Sequence, residues 1–588
     1  MQSRITSGRN LVVLALVVLT GFALWERLRG IGMMLPHATQ MDEHLPLRQL
    51  QVFRGADYDP ESDRFYALYP HLVSRTALLL PTDGGGAARP GMGLEEHLER
   101  ARTPWLEVRA SAALLSLGIV PGTYWLARVF LAPGWSLLAA AFAVTSLLHV
   151  AFTQLARPHG PVTTFILLTV VTSIHLRRHP SPRWYLLAGL AAALAIGSLH
   201  SGVFALGPLL VAHVLRSRGM RRRSRWSILG SLALVAASVP IFYPFYIEAA
   251  GRYLRVEDSI HGASINLSGQ PLFLSKFNGA GFPVIASTFA TYDPLLYVLA
   301  LAGLALVLVR LVRRPAGREA QLDVAVVLAH AVPYTIVIGL YEETWERFML
   351  QLLPYAGILA AVGVRALAMR LAPDTGPRFA KLSVALALVL LALPVAAVHR
   401  LGTVRSARDT QQLAADWIRR ELSPGEDRLL TVPVIDLPLL HAPGALGRNA
   451  AVGATYWIDY QAALAPESFG GDRHQILLPG EVGTTQAAIL ADARGWLYAR
   501  RPDYVLVPSG PGDPDGPALQ RVRHVLQSEG ERVARFSPER DDRGEDTMLD
   551  WRYLDAPWNR PLFVRLFEAA RMGFTLEFYR LRWEPPPR

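Results

Sequence analysis

Apolar residues in this chain gather into long stretches separated by short basic or polar connectors, and eleven of the stretches approach membrane-spanning length. They cover 11–28, 106–130, 135–152, 161–176, 184–198, 203–215, 226–247, 294–311, 322–340, 348–367 and 382–398. The first has Arg4 and Arg9 ahead of an apolar core, as a signal peptide does. Its end, Leu24–Trp25–Glu26–Arg27, offers no small-x-small cleavage site, so an uncleaved anchor is expected. The stretch 183–216 read as one helix would reach roughly 51 Å, far beyond a hydrocarbon core of about 30 Å. Gly197, Ser198, Ser201 and Gly202 supply a break, so two helices are predicted there.

With eleven crossings the basic residues alternate consistently. Arg4, Arg9, Arg128, Arg177, Arg178, Arg183, the cluster 216–225, Arg310, Arg313, Arg314, Arg318, Arg365, Arg370, Arg378 and Lys381 fall on one side. The short connectors 153–160, 199–202 and 341–347 on the other side hold only Arg157 and Arg347. The positive-inside rule then places the N-terminus in the cytoplasm and everything after 398 outside. Two outer loops are long: 29–105, with Gly84–Gly85–Gly86 inside it, and 248–293. The tail reads differently, with a helix over 410–422, a strand over 429–434, a helix over 486–500 and a strand over 504–507. The expected architecture is a polytopic α-helical membrane domain, 1–399, followed by an outward-facing soluble α/β domain, 400–588.

Composition agrees with this pattern. Of 588 residues, 51% are hydrophobic and only 18% charged, against a usual charged share of about 25%, which argues against fully soluble, disordered or fibrous chains. The net charge of +11 is carried almost wholly by arginine, since lysine stands only at Lys276 and Lys381. Much of that charge lies between apolar runs rather than on one soluble face, so nucleic acid is not an expected partner. The chain has no cysteine, which excludes disulfides, thiolate metal sites and cysteine nucleophiles.

The acids narrow the chemistry. Residues 108–247 contain no Asp or Glu, whereas proton-coupled transporters bury acids within their spans. Acids gather instead at outer helix ends: Asp42, Glu43, Glu248, Glu257, Asp258, Glu342, Glu343 and Glu346. The run Gln40–Met41–Asp42–Glu43–His44 follows the first span, and Asp57–Tyr58–Asp59–Pro60 and Leu68–Tyr69–Pro70–His71–Leu72 come after it. Together with the many spans, the outer α/β tail and the late run Trp345–Glu346–Arg347–Phe348–Met349–Leu350–Gln351–Leu352–Leu353–Pro354, these motifs resemble the GT-C membrane glycosyltransferases. They are most similar to family 39 proteins related to dolichyl-phosphate-mannose–protein mannosyltransferases and the lipid A aminoarabinose transferase. The resemblance implies transfer of a sugar from a polyprenyl-phosphate donor to an acceptor of the cell envelope at the outer face of a bacterial inner membrane.

By that resemblance Asp42 is the general base on the acceptor, and Glu43 orients the acceptor or helps hold a divalent cation, Mg or Mn. A solvated or helix-capping Asp42–Glu43 pair is the structural alternative. Arg347, beside Glu346, either meets the lipid phosphate through its bidentate fork or snorkels and pairs with Glu343 or Glu346. The connector Ala156–Arg157–Pro158–His159–Gly160–Pro161 lacks the acid that the family often places there. Arg157 and His159 are therefore either donor contacts or parts of a simple turn. Tyr69 joins them as a substrate-binding candidate. His44, His71, His97 and His261 match no zinc spacing. Asn266–Leu267–Ser268 is a formal sequon, and Arg252, Arg255 and Lys276 make the second long loop basic, suited to anionic lipid. Neither a phosphate-binding G-x-x-x-x-G-K-[ST] nor a G-x-S-x-G elbow occurs. A transporter or flippase, and a noncatalytic scaffold, are the rival classes. A flippase would show intramembrane polar sites and related halves, and no internal repeat is apparent.

Overall fold

The computed structural model describes residues 2–38, 42–58, 69–81, 89–216, 226–246, 265–267, 270–313, 317–373, 376–451, 455–480, 482–509, 516–539 and 562–582. Asp59–Pro60, Gly84–Gly85–Gly86, Arg221–Arg223, Glu248, Arg252, Arg255, Glu257, Asp258, His261 and Ser268 lie outside the described residues. The chain forms two compact units, and their boundary is not a single cut near 399. One unit comprises Met1–Arg29, Asp42–Leu80 and Val108–Leu401; the other comprises Gly30–Met41, Pro81–Glu107 and Gly402–Arg588.

The first unit is helical wherever the apolar pattern predicted a span. Its helices are α1 (Gln2–Leu28), α2 (His44–Phe53), α3 (Leu72–Ala77), α4 (Leu94–Ser116, begun in the other unit), α5 (Ile119–Ala127), α6 (Pro133–Val144), α7 (Leu147–Thr153) and α8 (His159–Arg178). There follow α9 (Pro182–Ser198), α10 (Leu206–Leu215), α11 (Ser227–Phe242), α12 (Gly281–Tyr292), α13 (Pro294–Arg313), α14 (Arg318–Leu340), α15 (Leu353–Leu371) and α16 (Pro377–Ser406). Prolines open α6, α9 and α13, where a missing N–H costs nothing. The break foreseen after Gly197 is present: Leu199 is extended, and a 3₁₀ turn leads into α10.

Among the described residues, seven helical stretches are long and apolar enough to cross a membrane, or eight when the bent pair α6–α7 counts as one span. This is fewer than the eleven predicted crossings, because α9, α10 and α11 are short. The 17 residues of α9 reach only about 25 Å. A chain with this many such helices is a multi-pass membrane protein. Its helices keep apolar side chains on the outside, for example Leu11, Leu14, Val17 and Val18 on α1 and Leu388 and Val389 on α16, as a lipid-facing surface requires. Where α13 meets α15 the backbones touch: a Cβ on Gly303 would stand 1.9 Å from the Leu359 carbonyl oxygen.

The second unit is an α/β fold. After a short hairpin of the first unit, β1 (Ile265–Leu267) and β2 (Gln270–Leu272), come β3 (Arg428–Thr431), β4 (Gln475–Leu477), β5 (Tyr504–Ser509), β6 (Gly530–Phe536) and β7 (Thr575–Leu581). These last five form one sheet in the order β4-β3-β5-β7-β6, parallel across β4, β3 and β5 and antiparallel beyond. Apolar layers cover both faces. Leu429, Leu506 and Phe578 pack with Ile418 on one side, and Leu430, Val505 and Val507 pack with Trp496 and Val522 on the other. The predicted tail helices appear as Thr410–Glu421, started by a capping box between Asp409 and Gln412, and Val482–Arg500, which breaks at Asp492 where the backbone is extended.

Candidate active site

Asp42 and Glu43 stand immediately before α2, and consecutive residues there face different partners. Asp42 has a φ of +67°, a left-handed conformation that Asp tolerates better than most residues. Its carboxylate is partly exposed, at 36%, whereas that of Glu43 is fully buried.

The facing element is the connector between α7 and α8, and its neighbours hold it firmly. At the start of α7 the buried Asp293 carboxylate accepts from Ser146 Oγ at 2.6 Å and Leu147 N at 2.8 Å. Along α7, His149 Nδ1 accepts from Arg27 Nη2 at 2.6 Å. Past its end, Gln154 Nε2 donates to the carbonyls of Glu26 at 2.8 Å and Arg29 at 2.6 Å. Ala156 N then donates to Glu43 Oε1 at 2.7 Å. Gly160 lets α8 begin against α4, since a Cβ there would lie 2.2 Å from Ser116 Oγ.

So held, the connector sends Arg157 to Asp42: its Nη1 donates to Asp42 Oδ2 at 2.8 Å. Arg347, from the 3₁₀ turn Glu346–Gln351, brings Nη2 to 3.8 Å from the same oxygen. Its guanidinium lies over the rings of Trp345 and Phe348, 5.2 and 5.5 Å from their centroids. His159 stacks on Phe348 with centroids 5.7 Å apart. Burial, reinforced by the nearby Arg157 charge, brings Arg347 down to about 10. Tyr69 enters from the segment before α3, its carbonyl held by Gln49 Nε2 of α2 at 3.0 Å. Burial pushes its phenol well up, and it lies within the fields of Arg157, Asp42 and Arg347.

Six of the seven residues singled out in the sequence therefore converge: Asp42, Glu43, Tyr69, Arg157, His159 and Arg347. Glu346 adjoins Arg347 in the chain and acts on it as a nearby negative charge. Glu343, one of the alternative partners for Arg347, pairs instead with Lys276. Arg347 Nε and His159 Nδ1 are buried and have no hydrogen-bond partner among the described residues. Two guanidinium groups beside one carboxylate form a place for an anion next to a proton acceptor.

A divalent cation does not fit these residues. The second carboxylate, Glu43, is engaged by Arg109, whose Nε and Nη2 donate at 2.9 and 2.8 Å, and by Ala156. Two arginines face Asp42, and no group of three His, Cys, Asp or Glu among the described residues is placed to hold a metal. Sequence reasoning missed Arg109 and Asp293. The signal for each was present, a charged residue at the edge of an apolar stretch.

Residues 104–244 match the family described as dolichyl-phosphate-mannose-protein mannosyltransferase, the family that the sequence motifs resemble. The match contains Arg109, Arg157 and His159, while Asp42 and Arg347 fall outside it. No curated protein matches the chain. Among solved structures, the archaeal oligosaccharyltransferase AglB from Archaeoglobus fulgidus, in complex with an inhibitory peptide and a dolichol-phosphate, is 11% identical with a TM-score of 0.45, over 90% of this chain and 74% of that one. ArnT from Cupriavidus metallidurans, bound to undecaprenyl phosphate, is 14% identical with a TM-score of 0.43, over 90% of this chain and 96% of that one. The arabinofuranosyltransferase AftD from Mycobacteria is 14% identical with a TM-score of 0.37, over 98% of this chain and 40% of that one.

Proposed function

We propose that this chain is a membrane glycosyltransferase that moves a sugar from a polyprenyl-phosphate donor to an acceptor of the cell envelope. The observation that carries the reading is the Arg157–Asp42–Arg347 arrangement, a partly exposed carboxylate beside one buried and one half-buried guanidinium. The acceptor hydroxyl or amine attacks the anomeric carbon, and the bond from that carbon to the phosphate oxygen breaks. Asp42 takes the acceptor's proton as the new bond forms. The leaving lipid phosphate gains negative charge, and Arg347 and His159 supply donors where that charge develops. Inversion at the anomeric carbon is implied by the family resemblance. No metal takes part in this scheme. A lipid-embedded helical unit suits the donor, whose isoprenoid tail stays in the bilayer while its phosphate reaches the site. The chain lies in a bacterial inner membrane with its N-terminus in the cytoplasm and the site and the C-terminal unit outside.

The test is transfer by the purified chain in nanodiscs, supplied with radiolabelled polyprenyl-phosphate sugars and envelope lipid or protein acceptors. Asp42→Asn keeps size and removes basicity, so transfer should fall by about 10²–10⁴-fold while thermal melts stay unchanged. Near-normal turnover in that variant would overturn the assignment. Lipid translocation by a chain that never transfers sugar would replace it with the flippase reading.

A further inference from the structure

We infer that Glu43 and Arg109 are positioning residues: their buried pair fixes the backbone at Ala156 and thereby sets Arg157 against Asp42. The inference rests on the glycosyltransferase reading for what the positioned pair does. The geometry is a cross-brace between two dipeptides. Glu43 meets Ala156, and the preceding residue, Asp42, meets the following one, Arg157. Glu43 Oε1 accepts from Arg109 Nε and Ala156 N, and Oε2 accepts from Arg109 Nη2. With the Glu43 side chain fully buried, its carboxylate has no face turned toward a substrate. Arg109 is itself 1% exposed and is carried by the long helix α4. The brace is therefore anchored on a regular element rather than on a loop. The left-handed φ at Asp42 turns the chain so that neighbouring carboxylates can serve separate arginines.

Removing one member alone would strand a buried charge, so the tests replace both. Glu43→Leu with Arg109→Met keeps an apolar filling but removes the acceptor for Ala156 N–H. Glu43→Gln with Arg109→Met removes the ion pair but keeps an amide oxygen for that N–H. Hydrogen exchange of full-length protein in nanodiscs is read at residues 154–158. Exchange should rise at least about tenfold in the Leu–Met variant and stay slow in the Gln–Met variant, both with melting curves close to wild type. Turnover should fall by about 10²-fold in the Leu–Met variant and by less than about tenfold in the Gln–Met variant. On an Arg157→Ala background the Leu–Met pair should add almost nothing, because it acts through Arg157.

Unchanged exchange at 154–158 in the Leu–Met variant would overturn the inference, as would full additivity with Arg157→Ala. Equal losses in the Gln–Met and Leu–Met variants would also overturn it and return Glu43 to orienting the acceptor. If the exchange pattern holds while wild-type protein transfers no sugar from any donor, the brace stands and the functional reading falls.

Discussion

Arg347 separates binding of the donor from support of the fold at the scale of one residue. Its guanidinium lies between Trp345, Phe348 and Asp42, with Nε left without a partner among the described residues. If that fork receives the lipid phosphate, Arg347→Lys keeps the charge and loses the paired donors. Hydrogen bonds to charged groups contribute about 1.5–3 kcal/mol, so the donor's apparent affinity should weaken roughly 10–150-fold. Donor titrations with melting curves as control check this, and Arg347→Ala should be worse. A residue that only snorkelled would tolerate Lys, since an exposed pair contributes about 0–1 kcal/mol. An unchanged donor dependence in both variants would remove Arg347 from the site. Which residues to test was legible in the sequence, because an Arg in a short outer connector is conspicuous. Which carboxylate each Arg meets was not, since that depends on residues more than a hundred positions away.

Among elements, the bent pair α6–α7 shows how the site is built from a broken span. The two helices diverge by 53° at Thr145–Ser146, where Ser146 Oγ accepts from His149 N and Asp293 gathers the Ser146 hydroxyl and the Leu147 N–H. The break needs these partners, because first-turn N–H groups left buried and unpaired are costly. Asp293→Ala should destabilise the chain by about 1–3 kcal/mol, read as a lower melting temperature. It should also speed exchange along 147–157, since α7 leads directly to Arg157. Asp293→Asn, which keeps acceptor oxygen, should recover part of both. Wild-type exchange in Asp293→Ala would show that the break stands without its cap. The other break, at Leu199, was readable from Gly and Ser. This one was not, because no glycine or proline marks it and its cap comes from a residue 146–147 positions away.

For the whole molecule, orientation and pH response can each be measured. The basic asymmetry counted along the chain predicts that reporters fused at Arg222 and Arg314 lie inside and those at Gly262 and Arg588 outside. A cytoplasmic reporter at Arg588 would place the α/β unit on the wrong side for the proposed chemistry. In that unit Asp436, which follows β3, is nine-tenths buried, and burial pushes its carboxyl up to about 7. The folded state therefore holds this proton more tightly than the unfolded chain does. The resulting stability is complete below about pH 4 and is lost as pH rises through about 7, at roughly 1.4 kcal/mol per unit of difference. Exchange in β3 and β5 should be slower at pH 5 than at pH 8, after correction for intrinsic rate. Asp436→Asn should flatten that contrast, and an equal contrast in the variant would assign it to another group.

The sequence by itself determined the helical unit, two strands and two helices of the tail, the split after Gly197 and the set of charged residues worth examining. Each of these follows from local pattern: apolar runs impose helices, alternation and turn residues impose strands, and acids missing from a 140-residue stretch leave few candidates. Tertiary structure decided which partners the candidates meet. Asp42 and Glu43 are adjacent and chemically alike, yet one meets Arg157 while the other is sealed against Arg109 and Ala156. Tertiary structure also decided the helix lengths, by which seven or eight of the eleven apolar runs are long enough to cross a membrane among the described residues, and the second unit, assembled from three separated segments. The reason is common to all of them: burial, ion pairing and capping are satisfied by residues distant in the chain, and periodicity carries no record of which distant residue arrives.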